Sequence, residues 1–178
     1  MTGDASRSVA ALGLGNPMRT DDGAGTYAIR QLSEAANLPL GVQVIEGGTL
    51  GLELLHHLRG VTHLLVLDAV DTGSAPGTLS RFVDEELAAV PTARSVHLLG
   101  LADLLGSMKL IGEAPEEVVL LGIQPESTEW GVTLSPCVEA ALSQLLEAAV
   151  TQLLNWTAAT EEAATRAMAC IEPTLFDN

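Results

Sequence analysis

The stretch from His63 to Val70 (His-Leu-Leu-Val-Leu-Asp-Ala-Val) constrains the fold more than any other part of the chain. It is nearly all apolar and shows no polar alternation. A strand wet on one face alternates. A strand that does not is buried on both faces, as in a parallel sheet covered by helices on each side. Asp68 interrupts the run near its carboxyl end. A carboxylate there is costly to bury without a cation, a hydrogen-bond network or a raised pKa. The same residues therefore predict an architecture and mark a side chain that needs a partner.

The flanking sequence completes the pattern. Val9 to Leu14, Val42 to Ile45, Thr78 to Val83 and Val118 to Ile123 read as further strands. Asp22 to Ala36 carries apolar residues at helical spacing, and Leu50 to Leu58 follows Thr49, a plausible N-cap. Asp84 to Val90 reads as a short helical piece. His97 to Leu110 puts Leu98, Leu101, Leu105 and Met108 on one face. Ser135-Pro136 opens a last helix, with Ser as N-cap and Pro at the first helical position, expected to run to about Trp156. Alternating strands and helices predict an α/β fold, three-layer α/β/α, with a mostly parallel twisted sheet of about five strands. We expect a short polar lead over residues 1–8, a single domain over 9–156 and a C-terminal extension over 157–178, partly helical or disordered.

Composition narrows the partners. A formal net charge of -15 repels nucleic acid and anionic membrane. No apolar run reads as long enough to span a bilayer, and Met1 to Ser8 lacks the apolar core of a secretory signal. Cys137 and Cys170 form no metal-site or disulfide spacing, so a reducing cytoplasm is expected.

In an open α/β sheet, ligands bind at the carboxyl ends of strands, where strand order reverses. Asp21 and Asp22 follow the first strand through a glycine-rich turn, Glu46-Gly47-Gly48 follows the second, and Asp68 closes the third. His97, at the start of a helix, could join them. Each has an ordinary alternative. Asp21 can cap its helix, Asp22 can sit on the first helical turn's surface, Asp68 can accept backbone N–H groups, and His97 can be a plain helix residue. Glu46 can simply end its strand, and His56, His57 and His63 suit structural roles. Two carboxylates and an imidazole can hold a divalent transition metal, or a carboxylate can act as general base on water; the residues do not separate the two. No Gly-x-Ser-x-Gly elbow is present, which disfavours serine catalysis. The Gly13-x-Gly15 turn resembles a dinucleotide loop, but Met18 stands where the third glycine belongs.

Taken together, Gly13-Leu-Gly-Asn16 with Asp21-Asp22-Gly-x-Gly25, Glu46-Gly-Gly-Thr49, Leu67-Asp68-Ala69, Ala75-Pro-Gly-Thr78, His97-Leu-Leu-Gly-Leu-Ala-Asp103 and Gly122-Ile-Gln-Pro-Glu126 resemble the endopeptidases that mature the large subunit of nickel–iron hydrogenases. The resemblance spans about Val9 to Leu154. It implies a single α/β/α domain that removes a C-terminal peptide from the hydrogenase large-subunit precursor after nickel insertion; a monomer is expected. It maps the catalytic and metal-contacting trio onto Asp22, Asp68 and His97. The nickel would be carried by the precursor, with no stably bound cofactor. Asp21, Glu46, Gly47, Gly48 and Thr49 are then substrate-contacting or supporting candidates. Two positions depart from the family pattern: Asp22 stands where Glu is frequent, and Glu46 where Asp is. A non-catalytic, metal-sensing chaperone of the precursor is the alternative, and a peptidase or amidase of general specificity a weaker one.

Overall fold

The structure is a computed structural model describing residues 8–89 and 96–169. Five strands, β1 (Val9–Leu14), β2 (Gln43–Gly48), β3 (His63–Ala69), β4 (Leu79–Val83) and β5 (Glu117–Ile123), form one sheet in the order β2-β1-β3-β5-β4. All neighbours pair in parallel except β4, which runs antiparallel to β5 at the sheet's edge. The helices are α1 (Ala24–Ser33), α2 (Leu55–Leu58), α3 (Val96–Leu110) and α4 (Pro136–Ala169).

Alternation along the buried strands sorts the core into two layers. Ala10, Leu12 and Leu14 of β1 and Leu64 and Val66 of β3 pack with Leu58 of α2 and Leu98, Leu101, Leu104 and Met108 of α3. Val9 and Ala11 of β1 and Leu65 and Leu67 of β3 face the other way, onto Ala28, Ile29 and Leu32 of α1 and Leu142, Leu145, Leu153 and Trp156 of α4. Each fully buried leucine stabilises such a layer by about 2 kcal/mol relative to exposure. This is the α/β/α arrangement that the unalternated third strand predicts.

Four expectations are corrected. Glu46-Gly47-Gly48 lies within β2, so that strand runs past Ile45. Thr49 does not cap α2: Leu50 N–H closes a turn on the Gly47 carbonyl at 3.0 Å, and a short 3-10 segment, Leu52–Leu54, leads into the helix from Gly51. Helix α4 does not stop near Trp156 but continues to Ala169, because residues 137–169 contain neither Gly nor Pro and are rich in Ala. Its segment Pro136–Ala158 is, by length and composition, long and apolar enough to cross a membrane, contrary to the sequence reading. Here it covers the sheet, with Leu145, Ala149 and Leu153 fully buried. Residues 170–178, including Cys170, lie outside the described residues.

Candidate active site

Strand order reverses beside β1, because β2 lies on one side of it and β3 on the other. The crevice at the carboxyl ends of β1 and β3 is therefore the expected ligand position. The glycine turn after β1 shapes this edge. Gly15 has φ +118°, and a Cβ there would lie 1.9 Å from the Asp22 carbonyl oxygen. The turn is thus folded directly against the 3-10 segment Thr20–Gly23 that precedes α1. Its position is fixed by Gly15 N–H donating to the Gly48 carbonyl (2.8 Å) and by the Thr26 hydroxyl donating to the Gly15 carbonyl (2.9 Å).

This geometry brings Asp22 to His97. Asp22 Oδ2 and His97 Nε2 are 3.0 Å apart, although 75 residues separate them in sequence. The same Oδ2 accepts the Asn16 N–H at 3.2 Å. Burial pushes the Asp22 carboxyl up, but the hydrogen bond and charge of His97, the Asn16 N–H and Arg19 outweigh it, and the group sits below its ordinary pKa. Burial likewise pushes His97 down. The hydrogen bond that His97 donates to Asp22 and the charges of Asp68 and Asp22 reverse this against Arg19's opposition, and the imidazole sits above its ordinary value. Asp68 is fully buried on the α3-facing side of β3, close enough for its charge to act on His97; its Oδ1 accepts the Ala69 N–H at 2.8 Å. The structure thus gathers all three predicted residues at one sheet edge, and the interaction assigned to Asp68 includes the backbone acceptance expected of a strand-end carboxylate.

Among the described residues, no three His, Cys, Asp or Glu side chains are grouped tightly enough to hold a metal ion by themselves. Asp22 Oδ2 and His97 Nε2 are engaged with each other, so a cation must displace the proton between them. The pH dependence follows. The raised His97 adds stability that is full below its unfolded pKa of about 6.5 and is lost as pH rises through the folded value. The lowered Asp22 adds stability that is present above its unfolded value of about 4 and is lost as pH falls through the folded one. Thermal unfolding of wild type and His97→Gln should differ most near pH 5–6 and converge above the folded pKa of His97; a difference independent of pH would refute the pairing.

Behind Asp22 opens a cavity of about 170 Å³, lined by Ala69, Asp71 and the Gln124–Thr128 segment. Gln124, only 6% exposed, organises its floor. Its Oε1 accepts the Thr72 N–H (2.8 Å) and the Ser74 N–H (3.2 Å), and its Nε2 donates to Asp71 Oδ1 (3.1 Å). The sequence reading gave Asp71, Gln124 and this segment no role. The available signal was Gly122-Ile-Gln-Pro-Glu126, a polar group directly after a buried strand at the same sheet edge.

The remaining candidates divide. Asp21 does not cap its helix: no side-chain cap bond is made there. It is fully buried and accepts N–H groups from Glu126, Ser127 and Ser135 and the Ser135 hydroxyl. That hydroxyl is therefore committed to Asp21, although Pro136 takes the first helical position as expected. Glu46 is half exposed and pairs with Arg30, Nε to Oε2 at 2.9 Å, which depresses its pKa through the Arg30 hydrogen bond. An exposed pair of this kind contributes little stability. Gly47 and Gly48 lie beside β1 in the sheet, with the Gly48 carbonyl on the glycine turn, and Thr49 is in the turn that follows. His56 and His57 are exposed on α2, whereas His63 is buried edge-on to Trp156, with ring centres 5.3 Å apart.

A mostly parallel α/β/α domain with two carboxylates and an imidazole converging at its strand-order reversal is an open α/β protein with its candidate site at the strand ends, and comparison with known proteins narrows the class. A sequence model described as hydrogenase maturation protease (HycI) matches residues 26–152. The hydrogenase 2 maturation protease of Escherichia coli is 39% identical over 140 residues, covering 78% of this chain and 85% of its own. HupD of Rhodobacter capsulatus, a hydrogenase expression/formation protein, is 34% identical over 170 residues, covering 94% and 81%. The structure of the hydrogenase maturating endopeptidase HybD from E. coli superimposes with a TM-score of 0.78 at 37% identity, over 83% of this chain and 92% of that one. The [NiFe] hydrogenase maturation protease HybD from Thermococcus kodakarensis gives 0.68 at 30% identity, over 82% and 98%. The chain belongs to the hydrogenase maturation protease family and is a peptidase with an endopeptidase role in hydrogenase maturation.

Proposed function

We propose that the substrate is the nickel–iron hydrogenase large-subunit precursor, and that the enzyme removes its C-terminal peptide once nickel is in place. Asp22, Asp68 and His97 form the site that meets the precursor's nickel. The observation that carries this reading is the 3.0 Å contact between Asp22 and His97 at the strand-order reversal, with Asp68 buried beside it. Three such donors suit a divalent transition metal, yet they are not gathered into a closed site in this chain. An incomplete donor set of this kind fits a metal that arrives with the substrate. The names of the related proteins, hydrogenase maturation proteases, support the substrate class.

In this reading the substrate's nickel polarises the scissile carbonyl or the attacking water. A carboxylate of the trio takes a proton from the water as its oxygen adds to the carbonyl carbon. The C–N bond then breaks, and that proton passes to the departing amine, leaving a new carboxylate and a new amino terminus. His97, when neutral, offers Nε2 to the metal; when protonated it holds Asp22 instead. Such gating would let the enzyme test metal loading before it cuts.

The deciding assay incubates purified enzyme with nickel-loaded and nickel-free precursor and follows precursor mass. Loss of the C-terminal peptide from the loaded form alone is expected, with a rate ratio above about 100 if the metal supplies even a few kcal/mol of transition-state stabilisation. Equal cleavage of both forms sinks the gating. Unchanged mass with a stable complex would instead describe a chaperone.

A further inference from the structure

Asp21 and Asp22 are neighbours in sequence and face opposite ways. Asp22 reaches His97, whereas Asp21 is turned into the protein and has no part in that contact. Four donors converge on the Asp21 carboxylate from the two ends of one loop. Oδ2 accepts the Glu126 N–H (2.9 Å), the Ser127 N–H (3.0 Å) and the Ser135 hydroxyl (2.8 Å), while Oδ1 accepts the Ser135 N–H (2.6 Å). One buried group thus closes a loop running from the end of β5 to the start of α4.

The middle of that loop is pinned to the residues just before Asp21. Gly131 N–H donates to the Met18 carbonyl (3.0 Å), and Thr20 N–H donates to the Gly131 carbonyl (2.8 Å). The Thr20 hydroxyl donates to the Ser127 carbonyl (2.6 Å), and Arg19 Nε donates to the Thr128 carbonyl (3.1 Å). Thr20 holds φ +36°, a conformation a β-branched residue adopts only when its surroundings impose it. The first part of the loop, Glu126 to Thr128, is a wall of the cavity beside Asp22. Its outer part carries Trp130, 74% exposed, with the Arg19 guanidinium 5.3 Å from the ring centre. This wall and Asp22 line the same cavity.

We propose that Asp21 is a positioning residue for peptide binding: its buried carboxylate fixes both ends of the 126–135 loop and so sets the wall against which the substrate segment lies. The proposal rests on the placement of hydrolysis at Asp22, Asp68 and His97. It separates two tasks within one dipeptide, Asp21 shaping the binding surface and Asp22 engaging the imidazole. The Asp22–His97 contact has supports of its own, α3 and the Asn16 N–H, apart from the four bonds to the Asp21 carboxylate.

Asp21→Asn is the test. An amide presents one acceptor and one NH2 where the carboxylate presents two acceptors. If its oxygen faces Glu126 and Ser127, its NH2 meets the Ser135 N–H; if reversed, it meets the other two N–H groups. Either way one end of the loop is released. The expected result is a KM for precursor raised at least tenfold, with kcat within threefold of wild type and an unchanged pH profile of kcat. A purely structural role would lower the active fraction, cutting apparent kcat at constant KM, and that outcome overturns the proposal. Ser135→Ala, which removes one donor and keeps the three N–H bonds, serves if Asp21→Asn does not fold: a KM raised about threefold supports the proposal, and a wild-type KM overturns it. Asp68→Asn measured alongside reports on the catalytic site separately, since the KM effect is judged on variants that retain Asp22, Asp68 and His97.

Discussion

Asp68→Asn should reduce kcat/KM for the precursor by at least about a thousandfold, equivalent to about 4 kcal/mol of transition-state stabilisation, while the protein remains folded. The two halves of this expectation have separate causes. Asparagine has nearly the same volume and retains a carbonyl oxygen to accept the Ala69 N–H, now at 2.8 Å, so the core of β3 is not opened. Removing the negative charge spares the cost of burying it, which offsets the lost attraction to His97. What is lost is the charge itself. Asp68 helps hold His97 protonated in the free protein, and it would be an anionic donor to the substrate's metal. The free variant should therefore show a His97 pKa lowered toward its ordinary value, readable from the imidazole resonances by NMR. Precursor mass after prolonged incubation reports cleavage, and thermal unfolding reports the fold. Normal cleavage by this variant removes Asp68 from the site; loss of cleavage accompanied by unfolding removes the evidence for a chemical role.

The architecture was legible because burial leaves a strong imprint on strands. His63–Ala69 is buried at every position, and a run of that kind fits only the interior of a covered parallel sheet. The antiparallel edge strand β4 was not legible as such, since its half-buried Leu79–Val83 says nothing about direction. The sequence understates α4 because large apolar residues thin out after Trp156, although no Gly or Pro marks a stop before residue 170. The site divides in the same way. Asp22, Asp68 and His97 follow from the strand-end rule and the motif resemblance. Asp21 reads from sequence as either a helix cap or a supporting residue, because two adjacent acids at a helix start look alike. Only the 105 to 114 residues of separation to its partners, crossed by the fold, reveal that one faces a distant loop. Asp71 and Gln124 escaped for the related reason that polar loop residues acquire a role from the cavity they line.

Gly25→Ala should be strongly destabilising, costing more than about 3 kcal/mol and removing activity in whatever remains folded. A Cβ at Gly25 would lie 2.1 Å from the Leu67 carbonyl oxygen and 2.4 Å from that of Leu14. Both obstacles are backbone atoms at the ends of β3 and β1, so neither can rotate away. The helix must lift, and the segment it carries is Thr20–Gly23, which delivers Asp22 to His97. Gly48→Ala offers the matching control. No atom lies within 4 Å of a Cβ there, but the backbone sits at φ +55°, so the cost is conformational, about 1 to 2 kcal/mol. Urea unfolding of the two variants, with cleavage measured on the folded fraction, separates close approach from backbone conformation. Gly25→Ala within 1 kcal/mol of wild type, or equal losses for both, would refute the claim that contact between α1 and the sheet aims the first carboxylate. If the larger loss appears at Gly25 and takes catalysis with it, then the glycines of this turn serve the site through distance: they let a helix start close enough to two strand ends for a one-carbon-shorter acid to reach its histidine.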